Sequence, residues 1–365
     1  ADLDDFESIK KCAKAFYYGE DIKMNKIEGL KYFKQAADLG DLDSMIILAD
    51  ELFKGENIEE NKKEAAKYYK KAADNGSFEA IEKYANIVAK GLGVPINYEE
   101  ALQYYDIAMK KGSFDATYNY GWLMFNGNGI VADKERAINY ISIASDNGHI
   151  EAKRKLGELY YKGDGVTMNK ATAANYFKEA SDLNDIESMY FYANMLYEGD
   201  GIETDKSLAL NYYEKAADEG HVNSMRKYAT IMYKVDKKTS ASYFKMAADH
   251  NDLNAMNCYG IMLLNGDGVT EDSQEAARYF KQACDCNFLD AINNYANVLY
   301  FGYGVPMDKV QAAHYYKLAS DLGHLDAMNN YANLLYEGSV VPEDKKLALQ
   351  LFRKAADEGH AYAAF

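Results

Sequence analysis

This chain lacks a basic surplus, long apolar runs and a cysteine framework, and each absence removes a class of function. Its 57 Asp and Glu outnumber 41 Lys and Arg, giving a formal charge of −16. Nucleic-acid binding needs Lys and Arg concentrated on one surface to displace phosphate counterions, so no nucleic-acid partner is expected. Acidic clefts favour a basic partner instead. No apolar run approaches the ~20 residues of a membrane span, and the start has no basic-then-apolar signal-peptide pattern. The chain begins at Ala1 without Met, which leaves room for a removed upstream segment. Four Cys (Cys12, Cys258, Cys284, Cys286) form no disulfide scaffold and point to a reducing, cytoplasmic setting. Removal of a signal peptide would place the chain in the ER lumen or outside the cell. The one glycosylation sequon, Asn75-Gly76-Ser77, overlaps a helix end. With only 3 Pro and 1 Trp, the excess is in Tyr, at 33 copies.

What the chain does have is repetition. Aligned on Ala-Ala-Asp-x-Gly, Ala recurs at 36, 72, 108, 144, 180, 216, 247, 283, 319 and 355. Every step is the same length except the shortened one into Ala247. Ten units follow, ending near Gly40, Gly76, Gly112, Gly148, Asn184, Gly220, Asn251, Asn287, Gly323 and Gly359, with the shortened unit at 221–251. The expected domain organisation is one solenoid over 1–365.

Within a unit, Ala65, Tyr68, Tyr69 and Ala72 stand at i, i+3, i+4 and i+7, the stripe of a helix called B here. An Asx residue opens each helix B, from Asn25 and Asn61 to Asp308 and Asp344. Glu28, Glu64, Glu100, Glu275 and Gln311 stand three residues on, where a capping box would use them. Asn184, Asn251 and Asn287 replace the closing Gly and predict left-handed backbone there. A second stripe, Met189, Tyr192, Ala193, Leu196 and likewise Ile292, Tyr295, Ala296, Leu299, defines helix A. Its i+4 slot is always Ala or Gly, which admits a close neighbour. Residues from Gly359 to Phe365 begin an eleventh helix A.

The pattern A-x-x-x-Y-A-N-x-L-Y-x-G-x-G-V, then D-x-x-x-A-x-x-Y-Y-x-x-A-A-D-x-G, resembles the Sel1-like repeat, a relative of the tetratricopeptide repeat. The resemblance implies an all-α fold: a right-handed α/α superhelical solenoid of about ten helix-turn-helix repeats whose A helices line a concave groove. It implies a scaffold or adaptor for a protein or peptide, with no cofactor and no catalysis. The alternative is a regulatory or client-positioning segment of a larger protein, such as an ER quality-control adaptor, a synthase regulator or a kinase-fused region. Unit seven departs from the pattern: Tyr233-Lys234-Val235-Asp236 replaces the Gly-x-Gly-Val loop, which predicts a tight turn and a local change of superhelical pitch.

Several motifs have structural readings. Gly163-Asp164-Gly165 and Gly199-Asp200-Gly201 follow a helix C-terminus, where the dipole repels phosphate, so loop geometry explains them. His149, His221, His324 and His360 share one slot and make no zinc pattern. Cys284 and Cys286 point to different faces. Ser-x-x-Lys at Ser8/Lys11, Ser224/Lys227 and Ser242/Lys245 is the only hint of a hydrolase, and no His or oxyanion constellation supports it. The repeated Asp of Ala-Ala-Asp sits at a helix C-terminus, against the dipole, and has no account from sequence beyond a turn-forming bond.

Asn is a poor choice inside a helix, yet it recurs in helix A. With Ile292 at zero on a helical wheel of about 100 degrees per residue, Asn293, Asn297, Phe301 and Asn294 fall near 100, 140, 180 and 200, away from the stripe. By the tetratricopeptide resemblance these slots line the groove. The candidate partner-binding residues are Asn86, Asn119, Trp122, Asn194, Tyr197, Asn293, Asn294, Asn297, Tyr300, Asn329, Asn330, Asn333 and Tyr336. Amides can pair with any peptide backbone, while the rings, Phe53 among them, supply anchoring contacts.

Overall fold

The chain folds as consecutive helical hairpins. The structure, a computed structural model, describes residues 3–20 and 22–359, and every regular element among them is an α-helix. Contacts group the chain into two compact units, Ala1–Asp185 and Ile186–Phe365. The N-terminal unit runs α1 (Leu3–Tyr18), α2 (Lys26–Asp38), α3 (Leu42–Lys54), α4 (Lys62–Asp74), α5 (Phe78–Lys90), α6 (Tyr98–Lys110), α7 (Phe114–Asn126), α8 (Lys134–Asp146), α9 (Ile150–Lys162) and α10 (Lys170–Asp182). The C-terminal unit runs α11 (Ile186–Glu198), α12 (Lys206–Asp218), α13 (Val222–Met232), α14 (Lys237–Asp249), α15 (Leu253–Asn265), α16 (Ser273–Asp285), α17 (Leu289–Phe301), α18 (Lys309–Asp321), α19 (Leu325–Glu337) and α20 (Lys345–Asp357). Odd-numbered helices are A and even-numbered ones B. Within each unit every helix packs on the next in sequence.

The stripes are buried as their periodicity requires. Ile292 and Ala296 are fully covered, and Tyr295 and Leu299 nearly so. The Ala or Gly slot is closed off throughout; at Gly260 a Cβ would lie 2.8 Å from the Phe280 ring. Every helix B opens on its Asx cap, as in Asn61, which accepts from the Glu64 N–H at 3.0 Å. Asn184, Asn251 and Asn287 are the non-Gly residues with positive φ among those described, at 65, 64 and 61 degrees.

The capping boxes do not close as expected. The cap's own N–H donates instead to a carbonyl of the preceding helix A, Asn61 to Leu52 at 2.7 Å and Asp308 to Leu299 at 2.9 Å. The third-position Glu reaches the cap's side-chain amide instead, as Glu64 does with Asn61 at 3.3 Å, or binds a cation, as Glu28 does with Lys31 at 2.7 Å. Those backbone bonds fix the A–B loop. The second Gly of that loop lies on the preceding B helix: at Gly304, φ +70, a Cβ would stand 2.0 Å from the Ser273 carbonyl oxygen. This close approach accounts for the Gly-x-Gly motif.

In several units the repeated Asp is also explained. Tyr68 donates to Asp38 at 3.0 Å, Tyr243 to Asp218 at 2.7 Å and Tyr104 to Asp74, each a bond between successive B helices. The shared His slot caps helix A: Nδ1 of His149 and His324 accepts the N–H of Ala152 and Ala327 at 3.0 and 3.1 Å. His221 does the same for Ser224 at 3.2 Å. His360 and most of the expected eleventh helix lie outside the described residues. In unit seven α13 stops at Met232 and α14 starts at Lys237, the tight turn expected there. One core cluster, from Ala217 to Leu334, runs through that shortened unit. Cys284 is buried and Cys286 exposed.

Candidate functional site

The Asn residues of helix A divide by what they already hold. In the Tyr-Ala-Asn slot, Asn86 accepts from the Tyr105 hydroxyl at 2.7 Å, Asn194 from Tyr213 at 2.7 Å and Asn297 from Tyr316 at 2.6 Å. Asp50 accepts from Tyr69 in the same way. The donor stands nineteen residues on, in the next helix B, and burial pushes the phenol of Tyr105, Tyr213 and Tyr316 up and keeps it protonated. Where this slot holds Trp122, Glu158, Thr230 or Ile261, the facing residue is Ile141, Phe177, Phe244 or Phe280, which has no hydroxyl. Sequence reasoning missed this pairing, although the matched Asx and Tyr positions carry it.

Other amides bridge successive A helices. Asn119 donates to Asn86 at 3.2 Å, Asn294 to Asn257 at 2.8 Å and Asn330 to Asn293 at 3.5 Å. Asn293 was expected to face away from the core and is instead 5% exposed. The wheel treats one helix alone, whereas α15, α17 and α19 pack side by side and cover the flank on which Asn293 lies. Asn329 is half-buried.

The rings are shared too. Lys206, Lys309 and Lys345, each opening its unit's helix B, lie 5.2, 4.8 and 5.5 Å over Tyr197, Tyr300 and Tyr336. Lys62 lies over Phe53 at 5.6 Å. Half-buried Trp122 stacks on Phe125 and carries Lys155 at 4.6 Å.

Against this background Asn333 stands apart. Its facing residue is Phe352, so it has no phenol to satisfy it, and it is exposed. It lines a recess of about 380 Å³ with Asn297, Tyr300, Phe301, Tyr316, Asn330, Leu334 and Glu337. The structure therefore brings together four of the sequence candidates, Asn297, Tyr300, Asn330 and Asn333, between α17 and α19. Phe301, 56% exposed, and Glu337 form the rim. Asn293, Asn294, Asn329 and Tyr336 do not line it.

The same recess recurs in the N-terminal unit. There Asp50, Phe53, Lys54, Tyr69, Lys83, Asn86, Ile87 and Lys90, with Leu92, enclose about 340 Å³. Slot for slot, Asp50 matches Asn297, Phe53 Tyr300, Lys54 Phe301, Tyr69 Tyr316, Lys83 Asn330, Asn86 Asn333, Ile87 Leu334 and Lys90 Glu337. The frame is constant and the rim is not. Among the described residues no three His, Cys, Asp or Glu side chains converge as a metal site would need, and no helix is long and apolar enough to cross a membrane.

Comparison with known proteins agrees with this architecture. The chain is similar to a protective antigen of uropathogenic Escherichia coli displaying an SLR fold, with a TM-score of 0.70 and 20% identity over 98% of this chain and 78% of that one. It is also similar to a Sel1 repeat protein from Oxalobacter formigenes, at 0.53 and 22%, over 66% of this chain and 96% of that one. No curated protein matches the chain in sequence. The Sel1 repeat matches residues 7–41, 42–77, 79–113, 114–149, 150–185, 186–221, 230–252, 253–288, 289–324 and 325–360. Ten matches over almost the whole length agree with the twenty helices in hairpins among the described residues, and the chain belongs to the Sel1 repeat family.

Proposed function

We propose that this Sel1 repeat protein is a non-catalytic scaffold that holds a partner peptide, and that the Asn333 recess between α17 and α19 is a principal docking point. The observation that carries the reading is Asn333 itself. In three other units the equivalent Asn is occupied by a tyrosine of its own fold, whereas here donor and acceptor are both open to a peptide backbone. Exposed Phe301 offers an apolar contact beside it. Glu337 on the rim favours a basic side chain in the partner. Of the remaining sequence candidates, Asn294, Asn329 and Tyr336 stand on α17 and α19 as flanking contacts in this reading, whereas Asn293 is buried and Asn86, Asn119 and Trp122 belong to the N-terminal unit.

The test is selection from a random peptide library displayed on phage, followed by affinity measurement on Asn333→Ala and Phe301→Ala. Selected peptides are expected to be enriched in Lys or Arg and to lose about tenfold in affinity with either variant, each with an unchanged melting temperature. Selection of no peptide, or peptides indifferent to both variants, would sink the proposal.

A further inference from the structure

The second recess has a matching frame and a basic rim in place of an apolar and an acidic residue. Its buried polar groups are satisfied internally: Asp50 accepts from Tyr69 and from Lys83 at 2.6 Å, and Asn86 accepts from Tyr105 and Asn119. Lys83 is further held by Glu79 at 2.8 Å. What the recess presents is then apolar, from Phe53, Ile87 and Leu92. Beside that floor stand Lys54 and Lys90, the last residues of α3 and α5, exposed and without an ion pair among the described residues. In a chain of charge −16, two unneutralised cations at equivalent positions of successive repeats are conspicuous. Each also lies in the last turn of its helix, where the dipole favours a positive charge.

We infer that the recess between α3 and α5 is a second docking site, and that its occupant is an acidic peptide segment. An apolar side chain of that segment enters between Phe53, Ile87 and Leu92, and Asp or Glu side chains on either side of it meet Lys54 and Lys90. Charge complementarity selects the partner, because at the equivalent rim positions in the C-terminal unit Phe301 offers no positive charge and Glu337 would repel such a segment. The apolar floor sets this apart from simple anion binding. A bare phosphate backbone would gain nothing from Ile87 and Leu92, whereas an alternating acidic and apolar peptide uses both. The inference rests on the reading of the protein as a peptide scaffold and extends it to a partner of opposite charge at a separate place.

The test uses the full chain and fluorescent ten-residue peptides of alternating Asp and Leu, alternating Asp and Ser, and alternating Lys and Leu, with a single-stranded oligonucleotide as competitor. The Asp/Leu peptide is expected to bind with an affinity that falls as salt rises. The other two peptides bind at least about tenfold more weakly, and the oligonucleotide does not displace it. A Lys54→Glu, Lys90→Glu double variant weakens binding by about tenfold, because two exposed attractions become repulsions, and Lys54→Gln, Lys90→Gln gives a smaller loss in the same direction. Asn333→Ala and Phe301→Ala leave this binding unchanged, which separates its failure from failure of the C-terminal site. Equal binding of the Asp/Ser peptide, displacement by the oligonucleotide, or indifference to both lysine variants overturns the inference.

Discussion

Replacing Phe352 by Tyr supplies the hydroxyl that unit ten lacks, and the expected outcome has two opposite signs. Tyr105, Tyr213 and Tyr316 occupy the equivalent slot and reach Asn86, Asn194 and Asn297 at 2.6–2.7 Å. The same backbone geometry at α20 brings the introduced hydroxyl to Asn333. A neutral hydrogen bond contributes about 0.5–1.5 kcal/mol net, and the exposure of Asn333 places this one in the lower half of that range. Stability of α19 and α20 therefore rises by about 0.5–1 kcal/mol. Peptide binding at the recess falls, because the Asn333 oxygen is now occupied; loss of one bond of about 1 kcal/mol weakens affinity about fivefold. Native-state hydrogen exchange of the α19 and α20 amides reads the first effect, since a repeat array opens locally rather than all at once. Fluorescence titration of the selected peptide reads the second. In an Asn333→Ala background the stability gain must disappear. A gain that persists there, or a variant neither more stable nor weaker in binding, refutes the pairing argument.

Two further outcomes follow from the packing and from the tyrosines. Gly260→Ala forces a methyl to within 2.8 Å of Phe280, whose ring is fully buried and has nowhere to swing; a loss of about 1–3 kcal/mol is expected, and an unchanged thermal melt would show that the slot has spare room. Burial, then the bonds to Asp38 and Asp74, push the phenols of Tyr68 and Tyr104 from 10.0 up to about 12. A raised pKa means that the folded state holds the proton more tightly. This contribution is thus complete below pH 10.0, where the unfolded phenol titrates, and is lost as pH rises to about 12. A Tyr68→Phe, Tyr104→Phe variant should show a shallower decline in stability across that window, measured by denaturant unfolding at stepped pH; an identical decline would refute the assignment.

The frame of this fold was legible in sequence because each of its cues is local. Asn61 caps a helix three residues from the amide it accepts, and Asn184 turns the chain at its own φ, so both could be read from a short window. The site was legible only in part. Asn297 stands out in sequence as unusual inside a helix, but the partner it holds, Tyr316, lies nineteen residues away on another helix. A helical wheel cannot show a partner on a second cylinder, and for the same reason it placed Asn293 in the open when a neighbouring A helix covers it. Lys54 and Lys90 escaped notice because lysine on an exposed helix end is ordinary until the apolar floor beside it is known.

A repeat that must stack identically ten times has few positions left in which to differ. The Ala or Gly slot of helix A is closed by packing, and where the Tyr-Ala-Asn slot holds Asp50, Asn86, Asn194 or Asn297 it is tied to a tyrosine in the next helix B. The last position of helix A is bound by neither constraint. It holds Tyr18, Lys54, Lys90, Asn126, Lys162, Glu198, Asn265, Phe301 and Glu337, every one exposed. No demand of burial or capping explains so wide a range of charge and polarity at one slot. In both recesses two consecutive members of this series form the rim, Lys54 with Lys90 and Phe301 with Glu337. On the proposed reading the frame sets where a peptide lies and this slot sets the charge it prefers, so a substitution there is expected to change partner preference at little cost to the fold.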